Sequence, residues 1–476
     1  MTSESAPLLY ATSPASPPIN SPSPVSLPFN AINAPFADDR TTLTTMQQHD
    51  GGELVHEFTS FHDSNRTGGV GSSIFNLANA ALGAGILAFP YAFKSCGLLL
   101  GVIITCVLVS LAAFTLHIVS YIAYQNRCNS YQEVIFSAFG RKGQLFSEFI
   151  LLSYLTGACV VYLTVIGDCA QPAIVYYTNL FIEDAQDAIY TDRKFIISVL
   201  GALFVFPLCL LRKINKLGFT SILAILGCIY MVIFVMVKAF LYIHTQGMPD
   251  SIQLFVNPAL HAGVIPEIFM AFPLIAFAFQ CHVLMVPIFG ELKRPSMLKA
   301  DIIIGSSLTL CTVLYVLVGV FGYLTFGALT ADDILLSYNH SDPLANLGRL
   351  AIGLTATFSF PITNFTCRLT IRSLFFKNKP FSDAQHYIVS TLFFIFCLLV
   401  ALFVPGVGIA FGICGSLGAT MLMFGFPALM MLKFGRKSPR FKYVWIPLSV
   451  FFMLLSIVMS VCGFSVTMIK IFVPEE

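Results

Sequence analysis

The sequence predicts an all-α membrane protein of eleven transmembrane helices, the first and sixth of them broken. Three observations predict it. Of 476 residues, 57% are hydrophobic and 11% charged, with mean hydropathy +0.82, whereas a soluble domain carries about 25% charged residues. Apolar stretches near the ~20 residues that cross a bilayer recur along the chain, and polar, basic loops separate them. With the N-terminus in the cytosol, twenty of the 26 lysines and arginines fall on the cytosolic side and six on the other. That is the positive-inside asymmetry. Eleven spans then put the C-terminus on the luminal or outer side. The net charge of +2 leaves no basic footprint for nucleic acid.

Residues 1–68 are rich in Pro, Ser and Thr, as in SPASPPINSPSPVSLP, and have neither helical nor strand period. Such a segment buries too little apolar surface to offset its ordering entropy, so a disordered cytosolic tail is expected. Its first 20 residues lack the apolar core of a cleavable signal. Glu4 stands four residues before the Leu8-Leu9 pair, the pattern of a cytosolic dileucine sorting signal read by adaptors.

The membrane domain, 69–476, places spans at 72–94, 97–124, 143–180, 194–211, 217–243, 264–290, 297–327, 343–374, 386–404, 407–433 and 444–472. The far-side loops are acidic, with Glu183, Asp184, Asp187, Asp192, Asp250, Asp332, Asp333 and Asp342. One of them holds the sequon Asn339-His340-Ser341, on the side that glycosylation requires. Thirteen cysteines lie mostly inside apolar runs without metal-binding spacing, and read as small buried hydrophobes.

Span 1 reads NAALGAGILAFP over residues 79–90. Two glycines and a proline weaken a helix that must satisfy its own backbone in lipid. Such a break is tolerated where it lines a cavity, and membrane carriers use it to hold a zwitterion and its ion near the midplane. Folds of this kind come from inverted repeats, so a second break is expected five spans on. Span 6 carries the polar cluster Gln280-Cys281-His282 with Pro287 five residues after His282, the same offset as Pro90 from Gly85.

The stretches FNLANAALGAGILAFPYAF, SYQEVIFSAFG, IYTDRKFIISVLGALFVFPL, FAFQCHVLMVPIF and GYLTFGALTADDILLSY resemble the amino acid/auxin permease superfamily. In particular they resemble its sodium-coupled neutral amino acid transporter group. YTDRKF and FQCHV point most specifically to a lysosome-associated member that carries glutamine and asparagine. The resemblance runs from about residue 68 to the last span.

It implies a LeuT-like fold, with repeat one at about 72–243, repeat two at about 264–433 and an eleventh span appended at 444–472. By position, Gly83, Ala84, Gly85, Ile86 and Leu87 would face the substrate's carboxylate and amine through backbone groups, with Ala278, Phe279, Gln280, Cys281 and His282 closing the opposite side. Asn79 of span 1 and a hydroxyl of span 8 would hold sodium. Among Thr355, Thr357 and Ser359, the latter two align best. The implied function is secondary transport of a neutral amino acid, coupled to sodium or a proton, in an endolysosomal membrane.

Two other readings compete. An amino-acid sensor would need a docking segment in its tail, and the tail offers only scattered apolar anchors. An enzyme would need a catalytic cluster at an aqueous interface, and none is visible. Individual polar residues also carry alternatives. His282 is either a packed hydrogen-bonding residue or a pH sensor, because imidazole titrates near neutrality. Asp168, at the far end of span 3, is expected to be solvated. Lys94, Lys238 and Arg349, at span ends, are expected to snorkel toward the interface.

Overall fold

The computed structural model describes residues 68–179, 189–211, 219–255, 264–376, 382–436 and 441–472. The tail, with Glu4, Leu8 and Leu9, lies outside the described residues, as do Glu183, Asp184 and Asp187.

The first span is broken as expected. Helix α1 (Val70–Ala81) ends where Leu82 and Gly83 turn extended, a short 3-10 turn covers Ala84–Ala88, and α2 (Phe89–Cys96) resumes with Pro90 in its first turn. There the missing N–H of proline costs nothing. The two halves are bent by 51°. α3 (Leu98–Asn126) returns, and α4 (Tyr131–Asn179) follows. α4 is two helices in one run: Gly140 sits at φ 66°, ψ −164°, a left-handed conformation that suits glycine. The expected third span starts just after it.

α5 (Arg193–Leu200), a π-turn and α6 (Phe206–Cys209) form one helical run. α7 (Phe219–Gln246) precedes the second break, between α8 (Val264–Ala278) and α9 (His282–Gly290). α10 (Met297–Phe326), α11 (Pro343–Phe375) and α12 (Asp383–Phe403) are unbroken. α13 (Val407–Cys414) and α14 (Phe426–Gly435) are joined through two π-turns, and α15 (Ile446–Phe472) closes the chain.

Several starts are set by local sequence. Asp192, Ser296, Asp342 and Ser382 each cap a helix by accepting a backbone N–H, a contribution of about 1 kcal/mol apiece. Taking the bent pair as one, ten helices among the described residues are long and apolar enough to cross a bilayer, against eleven expected. The difference is the expected span 194–211. Its run from Arg193 to Cys209 is about 26 Å long at 1.5 Å per residue, just short of a ~30 Å hydrocarbon core.

α4 and α11 make the most extensive helix pair. The first broken helix lies along α10, its 3-10 turn also meets α4 and α11, and α8 packs against α2, α13 and α15. At the end of the molecule where the described chain begins, Gly68 and Leu292 form a two-bond backbone bridge (Gly68 N to Glu291 O, 3.2 Å; Lys293 N to Gly68 O, 3.0 Å). This bridge ties the start of α1 to the end of α9.

At the opposite end, the hairpin between α10 and α11 covers the breaks. Lys94 Nζ donates to Thr330 O (3.2 Å), and Asp332 Oδ2 accepts the Gly408 N–H at the start of α13 (2.9 Å). Arg349 donates to the carbonyls of Leu335 and Tyr338, both at 2.8 Å. The charged residues here depart from expectation. Arg349 is 1% exposed, held by those carbonyls rather than reaching outward. Lys238 pairs with Asp342. Asp168 is 4% exposed and accepts from Arg193 Nε at 2.5 Å, so it is a buried ion-pair partner instead of a solvated acid.

Candidate functional site

A cavity of about 80 Å³ opens beside the first break, several times the 10–15 Å³ that admits one water. Its floor is the chain from Asn79 to Gly85. Tyr154 and Tyr162 of α4, Phe277 and Ala278 of α8, and Ser359 and Ile362 of α11 form its walls.

The break supplies the chemistry. The first hydrogen bond of the 3-10 turn runs from Ile86 N to Gly83 O (3.3 Å). The N–H groups of Gly83, Ala84 and Gly85 therefore precede the first internal bond, as at any helix start. Backbone N–H groups at a helix N-terminus favour a carboxylate. Just before them stands the C-terminal end of α1, whose last carbonyls favour a cation. A zwitterion with an adjacent ion is the ligand whose charges match both ends.

The two glycines differ in role. A Cβ at Gly83 would meet nothing within 4 Å, whereas one at Gly85 would lie 2.9 Å from the Ala278 Cβ. Gly83 thus leaves space, and Gly85 allows the two broken helices to touch.

The structure brings together Asn79, Gly83, Ala84, Gly85, Ala278 and Ser359 around one cavity. The side chains of the other expected residues do not line it. Ile86 and Leu87 are turned by the 3-10 geometry into the core, both 0% exposed. Phe279 packs edge-on against Phe89 (6.1 Å) and Tyr315 (5.2 Å). Cys281 is buried as the N-cap of α9. Thr357 donates its hydroxyl back to Gly353 O (2.8 Å) within α11. Thr355 does the same to Ala351 O (2.9 Å).

His282 is fully buried, with Nε2 2.9 Å from the Thr115 hydroxyl and Nδ1 3.0 Å from Gln280 Oε1. One neutral tautomer satisfies both contacts: Nδ1–H donates to the amide oxygen and Nε2 accepts from the hydroxyl. Gln280 is thereby also committed to the turn. Asn339 lies far from the cavity, exposed in the hairpin, its Oδ1 accepting from Ser341 N (3.1 Å).

Three site residues went unread in the sequence. Tyr154 and Tyr162 sit eight apart, two helical turns, on one face of α4, a spacing that could have flagged them. Tyr315 bridges both breaks from α10, and its partners are too remote in sequence for any local pattern to reveal them.

The protein family model for transmembrane amino acid transporter proteins matches residues 66–473. A human sodium-coupled neutral amino acid transporter 7 is 31% identical over 370 residues, 76% of this chain and 78% of that one. An amino acid transporter of Arabidopsis thaliana is 26% identical over 409 residues, 84% and 83% of the two chains. Among solved structures, MhsT in complex with L-phenylalanine superposes with TM-score 0.53 at 12% identity, covering 83% of this chain and 98% of that chain. The Eremococcus coleocola manganese transporter superposes with TM-score 0.52 at 13% identity, covering 95% and 93%. At these identities the solved structures speak for the fold, which is LeuT-like, and the family model speaks for the chain as a whole: it belongs to the transmembrane amino acid transporter family.

Proposed function

We propose that this amino acid transporter carries neutral amino acids, glutamine and asparagine foremost, by alternating access, with sodium as the coupling ion. The observation that carries the reading is the cavity at the Gly83–Gly85 break, where the chain ahead of the 3-10 turn's first internal bond and the end of α1 border one space. The substrate carboxylate would take the N–H groups of 83–85. The cavity walls are tyrosine, phenylalanine, alanine and isoleucine with no carboxylate or cationic side chain, which suits an uncharged substrate side chain. Sodium is a hard cation that takes oxygen ligands. The Asn79 amide oxygen, the Ser359 hydroxyl and carbonyls of α1 supply that donor type. Closure toward the far side is by Phe89, Phe279 and Tyr315 and by the hairpin above them, so this conformation favours exchange with the side where the described chain begins.

The similarity to sodium-coupled neutral amino acid transporter 7 supports sodium and a neutral amino acid together. The Glu4/Leu8/Leu9 signal and a glycan on Asn339 would place the protein in an endolysosomal membrane with its N-terminus cytosolic, exporting substrate to the cytosol. The test is flux of labelled glutamine into liposomes under an imposed sodium gradient, then under a proton gradient. Sodium-driven flux lost in Asn79→Ala is expected. Proton-driven flux indifferent to sodium would overturn the ion assignment.

A further inference from the structure

We propose that Tyr315 is a positioning residue whose hydroxyl clamps the two broken helices and so sets the width of the substrate cavity. The inference rests on the transport reading above for its consequence, though not for its geometry.

α10 presents three donors to α1 at intervals of one helical turn. Ser307 Oγ donates to Ile74 O (2.9 Å), Cys311 Sγ lies 3.7 Å from Ala78 O, and the Tyr315 hydroxyl donates to Ala81 O (2.6 Å). The first two act on carbonyls inside α1. The third acts on its last helical residue, immediately before the break. The same hydroxyl is 3.5 Å from Ala278 O, the last helical residue before the second break. Two half-helices thus turn their electronegative ends toward one point, and the hydroxyl proton answers there. In lipid no bulk water is available to do so.

The ring completes the clamp. It is 0% exposed, stacks on Phe89 at 4.6 Å and 22°, and meets Phe279 edge-on at 78°. Phe89 starts the second half of span 1, and Phe279 begins the turn of span 6. One side chain therefore touches both sides of the first break and the near side of the second. Between the two breaks lies the Gly85–Ala278 contact, with the Tyr315 oxygen 3.7 Å from where a Gly85 Cβ would stand. Gly85 and Ala278 also line the cavity, so any slippage there alters its width.

Tyr315→Phe keeps the stacking and removes only the hydroxyl. Ser307→Ala, which removes the same kind of α10–α1 bond away from the breaks, is the control. Two readouts on the full chain in nanodiscs and liposomes test the proposal. In Tyr315→Phe, amide hydrogen exchange is expected to rise about five-fold, the worth of one hydrogen bond, in both 79–88 and 276–282, with α12 unchanged. Ser307→Ala should leave 276–282 unchanged. Glutamine KM should rise by a similar factor while kcat stays within about two-fold.

Unchanged exchange at either break, or a rise that extends to α12, overturns the clamp. Faster exchange at both breaks with an unaltered KM overturns its link to cavity width. Wild-type protein that carries no glutamine would defeat the transport reading, and the exchange measurement would still decide the clamp.

Discussion

Gly85 and Ala278 meet where the two broken helices cross, so closely that a methyl on residue 85 would lie 2.9 Å from the Ala278 Cβ, while two residues earlier Gly83 faces open space. The same substitution should therefore fail in two different ways. Gly85→Ala overpacks the crossing and is expected to destabilise the fold by about 1–3 kcal/mol. Gly83→Ala should leave thermal stability unaltered and weaken substrate binding, because its methyl occupies cavity rather than core. Melting temperature and glutamine binding measured on both variants separate the two. Equal loss of stability in both would show that Gly83 is a packing glycine as well.

The ion site makes a graded prediction. Asn79 and Ser359 both border the cavity, and Thr357 does not line it. Asn79→Ala and Ser359→Ala should each raise the sodium concentration for half-maximal flux about ten-fold or more, the loss of one hard-cation ligand being worth over 1 kcal/mol. Thr357→Val should change it less than about two-fold. Sodium titration of flux in the three variants checks the ranking, and a Thr357 effect as large as that of Ser359 would reverse it.

These contrasts mark how far the sequence could be read. Hydropathy located the spans because burial in lipid demands about 20 apolar residues whatever the neighbours are. The Gly83/Gly85/Pro90 pattern located the first break because glycine and proline act on their own backbone. The family resemblance, not a local pattern, pointed to Asn79 and Ser359, and both border the cavity. Local sequence could not tell the space-leaving Gly83 from the contact-making Gly85, since the difference is Ala278, nearly two hundred residues away. It sent Arg349, Lys238 and Asp168 toward solvent because their partners, the Leu335 and Tyr338 carbonyls, Asp342 and Arg193, are fixed by tertiary packing. The short run from Arg193 to Cys209 is a related case: its apolar length is legible, but whether about 26 Å of helix crosses the bilayer depends on what adjoins it.

His282 is held as a hydrogen-bonding member of the second break, and we predict that it is not a pH sensor. Both ring nitrogens are engaged, by Thr115 and Gln280, with no exposure to the cavity. His282→Gln should cost about 1–3 kcal/mol for the buried groups left unsatisfied, and it should leave the pH profile of flux superimposable on that of wild type after scaling. A flattened profile in the variant would restore the sensor role.

The Asp168–Arg193 pair joins α4 to the start of α5, with Asp168 4% exposed. Removing one partner of a buried pair strands the other charge, a loss of about 3–5 kcal/mol. Asp168→Asn and Arg193→Gln should each approach that range, while the double variant should recover a large part of it. Unfolding measured through this double-mutant cycle checks the coupling. Strictly additive losses would mean that the two residues act separately.

Asp333, in the hairpin outside the spans, gives the far side a pH dependence of definite sign. It is 0% exposed and caps its own turn by accepting Leu335 N (2.8 Å). Burial first, and the neighbouring Asp168 carboxylate next, push its carboxyl well above the ordinary carboxylate range, with the Leu335 N–H pulling the other way. Asp332 adds to the upward push and Arg349 opposes it. Arg193, paired to Asp168, and the Cys169 thiol complete the charged and titratable surroundings.

A carboxyl raised on folding favours the protonated form in the folded state. Its stabilising contribution is fully present below the unfolded value near 3.9 and is lost as pH climbs through the raised one. Acid on the far side should therefore tighten the hairpin over the breaks, and neutral pH should loosen it. The thermal unfolding midpoint of wild type is expected to fall as pH rises above the usual carboxylate range. Asp333→Asn, which imitates the protonated form at every pH, should remove that slope and match the acid-side stability of wild type. A variant that keeps the full slope would show that Asp333 does not set the pH dependence.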